Sequence, residues 1–441
     1  MAELYDVAND PANRELMTFP SERDGRPINR CFQVPRRRED LVARRRAHKR
    51  WADETYGLLG RSPDHVASFL AGFAGAATFF GERADNVLRF YNKAADEDLY
   101  LAYAIVHPTV DRSKPAHQQP EPNLYASVHK EVDGGIVVRG AQMLATGGVY
   151  ADVILTTVIL PLPAGDEDYA ISFVAPTSAS GLKIYTRRPY AVGPTSVFDY
   201  PLSSRLDETD SLVVFDDVLV PWEDVFVYRD RERTFGQFTR TAAHVLGNTQ
   251  AQIRFWAKLQ FLVGLVKRIC DRSGQSANRE VQVQLGALAA RAALVEGLIL
   301  AAEEKCYVDD DGIAWPAPDM VYANQTLQST LYPEMVLMAR EMMGGSLIQL
   351  PSSARDLLSA ETAPDVARHV RWPEASAEER VKLLKLLWDL TGSEFGSRHV
   401  QYEMFYAGQP SVVKAKAFNA YDWSAAEALV DHCLNSYSLV D

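Results

Sequence analysis

Cysteine is scarce in this 441-residue chain, and its four copies are far apart: Cys31, Cys270, Cys306 and Cys433. None has a metal-ligand spacing, so no zinc or iron–sulfur centre is expected and the metal assignment is none. At this size the same scarcity excludes a disulfide framework and fits a reducing cytoplasm. No long basic stripe is present, and the formal net charge of −12 argues against nucleic acid as a partner. The basic run Arg36-Arg37-Arg38 with Arg44-Arg45-Arg46 lies among Glu39, Asp40 and Asp53 and reads as one solvated helix face. The N-terminal residues show neither a basic n-region nor an apolar h-region. The apolar run Phe261 to Val266 is too short to span a bilayer, so a soluble protein is expected. No G-x-G-x-x-G follows a strand pattern, which leaves no nicotinamide site.

What is there suits a large globular protein. Hydrophobic content of 47% and charged content of 24% are ordinary, and the length allows two or three packed units. The first hundred residues are mainly helical in pattern, over Arg38–Tyr56, Val66–Phe80 and Glu82–Asp98. From about Asn123 the period changes to two, with candidate strands Tyr125–Val132, Gly135–Leu144, Val153–Leu160, Tyr169–Ala175, Leu182–Arg187 and Leu212–Val218. These predict an antiparallel barrel or sandwich. From Phe235 long apolar-periodic stretches return, at Gln250–Ile269, Arg279–Val308, Val321–Met343 and Ala377–Leu390, with a last helix near Trp423–Leu434. Their length and broad apolar faces predict a four-helix bundle and an oligomer interface. The expected units are 1–122, 123–232 and 233–441.

The stretch from Asp98 to Tyr150 is the candidate cofactor cleft. Its first half is an aromatic-rich run, read as helical, that ends in a polar loop with Asp111, Arg112 and Lys114. Its second half is a hairpin turning at Asp133-Gly134-Gly135. The hairpin ends at Ala145-Thr146-Gly147-Gly148, where a planar ligand can approach the backbone.

Several segments, at their spacing, resemble the 4-hydroxyphenylacetate 3-hydroxylase family, the oxygenase components of two-component flavin monooxygenases. They are YGLLGRSPD (56–64), DLYLAYAIVHPTVDRSKP (98–115), EVDGGIVVRGAQMLATG (131–147), the 199–230 segment, LPSSARDL (350–357) and KLLKLLWDLTGSEFGSRHVQYEMFYAG (382–408). The resemblance covers essentially the whole chain, although family members usually carry a further N-terminal segment. It implies an α+β, acyl-CoA-dehydrogenase-like fold: an N-terminal helical domain, a central antiparallel β-barrel or sandwich and a C-terminal four-helix bundle. It also implies a homotetramer, FAD taken up as FADH2 from a separate flavin reductase, and O2 as co-substrate. The expected reaction is ortho-hydroxylation of a phenol through a flavin C4a-hydroperoxide.

That reaction sets demands on the pocket. A phenol attacks well as phenolate, yet its pKa is about 10, so a cation or donor must meet its oxygen. The resemblance places Arg61, His65 and Tyr103 there. Arg61 matches the family pattern; the usual tyrosine is His65 here and the usual histidine is Tyr103, so the two types stand exchanged. Toward the flavin the resemblance points to Tyr103, Ala104 and Val106, to the loop Thr109–Arg112, to Thr146, and to Arg398, His399 and Tyr402. Two departures bear on substrate. Gly147-Gly148-Val149-Tyr150 replaces the family's usual continuation after Thr146, and Leu160-Pro161-Leu162-Pro163 offers no hydroxyl or cation for a carboxylate. A larger or neutral phenol, free or carrier-bound, is therefore expected over 4-hydroxyphenylacetate. Two other readings stay open. One is a same-fold dehydrogenase, oxidase or dehydratase without oxygenation, the dehydrogenase using Glu303, Glu304 or Glu341, each expected at the surface, as base. The other is an inactive homologue.

Overall fold

The computed structural model describes residues 1–193 and 196–439; Pro194, Thr195, Val440 and Asp441 of the expected central and C-terminal units lie outside the described residues. Short elements open the chain: α1 (Ala2–Asn9), α2 (Arg14–Met17), and the hairpin of β1 (Thr18–Pro20) and β2 (Pro27–Asn29). α3 (Arg38–Glu54) starts where the Asp40 carboxylate accepts from the backbone N–H groups of Arg36 and Arg37, satisfying donors the first turn leaves open. The basic run is not one solvated face. Arg44 is buried and donates to the carbonyls of Arg30, Cys31 and Gln33 and to Ser68 Oγ, while Arg45 pairs with Glu303 at 2.7 Å. α4 (Pro63–Gly75) begins with proline in its first turn, where the missing N–H costs nothing, and is buried from Pro63 through Ala74. α5 (Ala84–Asp96) completes this layer.

Eight strands follow among the described residues: β3 (Leu101–Ala104), β4 (Ser127–Val132), β5 (Gly135–Met143), β6 (Val153–Thr156), β7 (Ser172–Pro176), β8 (Leu182–Thr186), β9 (Ser211–Pro221) and β10 (Val225–Val227). They form two four-stranded sheets, ordered β4-β5-β9-β8 and β10-β7-β6-β3. Two expectations are corrected here. The aromatic-rich run after Asp98 is a strand, β3, lying parallel to β6 with Tyr103 opposite Leu155. Alternation puts Leu101 and Tyr103 toward the helical core and Ala104 into the core between the sheets. The expected barrel or sandwich takes the form of two four-stranded sheets, linked by a bridge from Val106, just past β3, to Met143 of β5, and the expectation that it is antiparallel throughout fails at the parallel β3–β6 pairing. Its core interleaves Ile154, Phe173 and Ala175 of one sheet with Val138, Val213, Phe215 and Val218 of the other.

The helical region after β10 holds α6 (Arg231–Thr239), α7 (Ala243–Arg272), α8 (Arg279–Glu304), the β11 (Tyr307–Val308) and β12 (Ala314–Trp315) hairpin, α9 (Pro318–Met343), α10 (Ala363–His369), α11 (Ala377–Thr391), α12 (Glu394–Phe405), α13 (Pro410–Ala420) and α14 (Trp423–Leu434). α7, α8, α9 and α11 build the bundle. α4 crosses α7 so closely that a Cβ on Gly72 would stand 2.3 Å from Ala243 N, and one on Gly247 would stand 1.9 Å from the Phe69 ring. Glycine at this crossing lets one hydrophobic core run from α3 and α4 through the bundle. α8 is long and apolar enough to cross a membrane by length and composition, yet it packs between α7 and α9. It leaves Val283, Leu294 and Leu300 exposed.

Candidate active site

The start of α4, the end of β3 and one face of α12 meet in a buried polar cleft. Arg61 precedes the α4 cap residue Ser62. Its backbone N–H donates to Glu208 Oε2 (2.8 Å) and its carbonyl accepts from Tyr100 Oη (2.6 Å), which pins the chain before the helix. The guanidinium is buried, donates to the Tyr402 hydroxyl, and lies 5.2 Å from the ring centroids of both Tyr103 and Tyr402. Among the described residues no carboxylate pairs with it. Burial lowers its pKa, but Tyr103, Tyr402 and Glu208 outweigh that and keep it charged.

His65 stands one helical turn after Arg61 and faces the same cleft. Its Nδ1 is 2.9 Å from Gln250 Oε1 on α7, and its Nε2 is 3.4 Å from Tyr103 Oη. Burial, then the Arg61 charge, holds the imidazole well below its ordinary pKa, so it is neutral. Arg61, His65 and Tyr103 therefore come together, the first two from the start of α4 and the third from β3.

α12 opens with Ser393 accepting from Gly396 N, and its periodicity puts Arg398, His399, Tyr402 and Glu403 toward the interior. Arg398 is spent on two carboxylates, reaching Glu208 Oε1 and Asp210 Oδ1 at 2.6 Å each. Burial alone would raise Asp210, but Arg398, with Thr146 and Arg187, holds it far below its ordinary range. Glu403 accepts from Arg254 at 2.7 and 2.9 Å and from Lys258, and burial is overcome so that its pKa falls to about 2. Lys258 is the odd charge out, since two cations share one carboxylate. Burial above all, with Arg254 beside it, pushes it down to about 7, and its Nζ lies 3.0 Å from His399 Nδ1. His399 thus meets a lysine, and Arg398 meets acids.

The remaining expected cofactor residues lie along the strand ends. Thr146 is buried and donates to Asp210 Oδ1 at 2.7 Å. Val106 bridges to Met143, and Ala104 sits in the sheet core. Thr109 and Arg112 are exposed, and Arg112 has no ion-pair partner among the described residues. Around this edge His107 Nε2, Gln142 Oε1, Thr156 Oγ1, Thr209 Oγ1 and Ser211 Oγ are buried without a hydrogen-bond partner. Each such group costs roughly 1–3 kcal/mol, so five near one edge fit a polar, planar flavin ring. Thr209 also holds φ of 46°, a strained conformation for a β-branched residue.

Sequence reasoning missed Asp64, Gln250, Glu208, Asp210, Lys258 and Glu403. Glu208 and Asp210 stood inside a matched segment without a role being assigned to them; nothing local marked Gln250. Of the glutamates expected at the surface, Glu303 is buried against Arg45, while Glu304 pairs with Arg38 outside the cleft. Neither Glu303 nor Glu304 offers a free base to this site. Among the described residues no Cys/His/Asp/Glu cluster could hold a metal.

Residues 1–227 match the family model "4-hydroxyphenylacetate 3-hydroxylase N terminal" and residues 235–435 match its "C terminal" counterpart. The 4-hydroxyphenylacetate 3-monooxygenase oxygenase component of Thermus thermophilus is 35% identical, over 96% of this chain and 86% of that protein. The (3S)-3-amino-3-(3-chloro-4-hydroxyphenyl)propanoyl-[peptidyl-carrier protein] monooxygenase of Streptomyces globisporus is 36% identical over 92% and 77%. The crystal structure of a 4-hydroxyphenylacetate 3-monooxygenase oxygenase component complexed with FAD and 4-hydroxyphenylacetate superposes with a TM-score of 0.93 at 34% identity, covering 99% of this chain and 90% of that one.

Proposed function

The chain belongs to the 4-hydroxyphenylacetate 3-hydroxylase family, and from that premise we propose that it is the oxygenase component of a two-component flavin monooxygenase hydroxylating a phenol ortho to its hydroxyl. The observation that carries this reading is Arg61, a buried guanidinium with no carboxylate partner, flanked by His65 and Tyr103. An unpaired buried cation is costly, and a phenolate oxygen offsets that cost by supplying the missing charge. Arg61 thereby stabilises the ionised phenol, while the Tyr103 hydroxyl and His65 orient it and receive its proton.

FAD, delivered reduced by a separate reductase, supplies the electrophilic oxygen after reaction with O2. The backbone from Tyr103 to Val106, Thr146 and the orphaned polar atoms at the strand ends would hold its ring, and Arg112 its phosphates. Tyr402 and Tyr406 stack at 5.8 Å and close the cleft from the bundle side, keeping water from the reacting centre.

The substrate is a phenol without a short carboxylate tail. Ile159 N–H donates to the Ile105 carbonyl at 3.1 Å, which holds the Leu160–Pro163 segment beside the end of β3. Leu160 is exposed there, an apolar lip that suits a neutral or carrier-borne phenol. The enzyme works as a homotetramer in the cytoplasm. Ile348 and Leu358 are 80% and 83% exposed, α8 and α14 show apolar faces to solvent, and second copies of the chain cover them. Analytical ultracentrifugation checks the tetramer.

The deciding assay supplies FADH2 and O2 to the protein with a panel of phenols and measures hydroxylated product against hydrogen peroxide. Label from 18O2 in a catechol product is the expected result. Peroxide alone with every phenol would count against oxygenation and favour a flavoprotein of another chemistry.

A further inference from the structure

The hydrogen bonds behind His65 decide which of its nitrogens carries the proton. Asp64 is 1% exposed, and as a carboxylate it only accepts. Its Oδ2 takes His48 Nδ1–H at 2.8 Å, and its Oδ1 takes Ser62 Oγ–H at 2.5 Å and Gln250 Nε2–H at 2.9 Å. Gln250 Nε2 also reaches Ser62 Oγ at 3.2 Å. The Gln250 amide cannot turn over, because its carbonyl would then face the carboxylate. Its Oε1 must therefore point at His65, and an acceptor there requires a hydrogen on Nδ1. In the neutral imidazole Nε2 is then a bare lone pair, so Tyr103 Oη donates to it. That leaves the Tyr103 oxygen with its lone pairs toward the cleft.

We propose that Gln250, anchored by Asp64, is a positioning residue that locks His65 in the Nδ1–H form and so makes Tyr103 a proton acceptor for the bound phenol. This rests on the function proposed above. The step balances: the phenol O–H proton passes to Tyr103 Oη as the Tyr103 proton passes to His65 Nε2, and the phenolate so formed supplies the negative charge whose absence keeps the imidazole neutral in the empty site. The phenolate is held by Arg61, and the proton returns by the same path to the oxygen of the hydroxylated product. The groups facing His65 are Arg61 before α4, Asp64 on α4, His48 from α3, Gln250 and Arg254 from α7, and Tyr103 from β3. The relay also accounts for the exchanged residue types. With histidine on the helix and tyrosine on the strand, the imidazole reaches the substrate through the hydroxyl.

The test combines two readouts on the intact protein. Nitrogen NMR on 15N-histidine-labelled protein reports which nitrogen of His65 is protonated. A pH titration with 4-nitrophenol, whose phenolate absorbs visible light, reports the pKa of the bound phenol without turnover. Wild type is expected to show protonated Nδ1 and a bound phenol more acidic than in solution. Gln250→Leu should move the proton to Nε2 and raise the bound phenol's pKa by about one unit, a tenfold loss of phenolate at a given pH. A role confined to stability would lower the melting temperature of Gln250→Leu and leave both readouts unmoved, which overturns the proposal. Protonated Nε2 in wild type overturns it without any variant. Wild-type protein that takes up no phenol but shows protonated Nδ1 overturns the function reading and leaves the tautomer lock standing.

Discussion

Two buried polar regions share Tyr402, and they balance charge in opposite ways. On one side Arg254, Lys258 and Arg398 face Glu403, Glu208 and Asp210 in direct ion pairs, all at the seam between α7, α12 and the β9 approach. On the other side the Arg61 guanidinium meets a hydroxyl and aromatic faces and forms no ion pair among the described residues. The residue types are the same; the counter-ion is the difference. A cation paired inside the protein is structural, because its electrostatic work is done on folding. A buried cation left with neutral neighbours still has that work to do, and an anionic ligand completes it.

Breaking the paired side should cost the most stability. Glu403→Leu strips the shared carboxylate from Arg254 and Lys258 and leaves two buried cations facing each other. A loss of roughly 3–5 kcal/mol is expected, read as a fall in thermal midpoint and in urea resistance. Arg61→Ala is the opposite case. Coupled hydroxylation should fall by about 10²–10³-fold while flavin binding persists, since a donor to the developing charge is gone. Stability should be unchanged or slightly raised, because an unpaired buried charge has been removed. An Arg61→Ala protein as unstable as Glu403→Leu would erase the distinction between the two regions.

The pH dependence sharpens the contrast. His65, His244 and His399 are held well below 6.5 in the folded state, chiefly by burial. The unfolded chain takes up protons near 6.5 while the folded one does not, so stability is present above that pH and is lost as pH falls below it. Glu403 adds a second step, since its folded value of about 2 lies under its ordinary 4.5. Its contribution is present above about 4.5 and drains away toward 2. Thermal midpoints taken from pH 7 to 3 should decline from about 6.5 and steepen below about 4.5. A flat profile down to pH 4.5 would mean the histidines are not held neutral.

The long helices were legible because 3.6-residue periodicity is local, and α14 falls where its pattern places it. β3 was not: four residues of mixed aromatic and small character carry either period, and its strand identity comes from lying beside β6. Barrel or sandwich is likewise a matter of which strand edges meet, which no single segment encodes. At the site, Arg61, His65 and Tyr103 were found through motif resemblance. Gln250, Lys258 and Glu403 were not, because each looks like an ordinary polar helix position until a partner about 150 or more residues away supplies its meaning. The same holds for Arg44, whose charge is spent on the carbonyls of Arg30, Cys31 and Gln33 inside the N-terminal layer.

The smallest expected effect concerns a cation of a third kind, exposed and unpaired. Arg112 lies in the loop after β3, open to water, with no ion pair among the described residues. Water already satisfies such a charge, so it carries little folding energy, and its use depends on what comes near it. If the flavin phosphates settle beside it, Arg112→Ala should weaken reduced-flavin binding only about 3- to 10-fold, and the difference should shrink as salt is raised toward molar concentrations. Titrations of FADH2 under anaerobic conditions at two ionic strengths make the measurement. Hydroxylation at saturating flavin should match wild type, because Arg112 acts on capture and not on the phenol. A loss that persists at saturating flavin would place Arg112 with Arg61, among the cations whose counter-ion is part of the reaction.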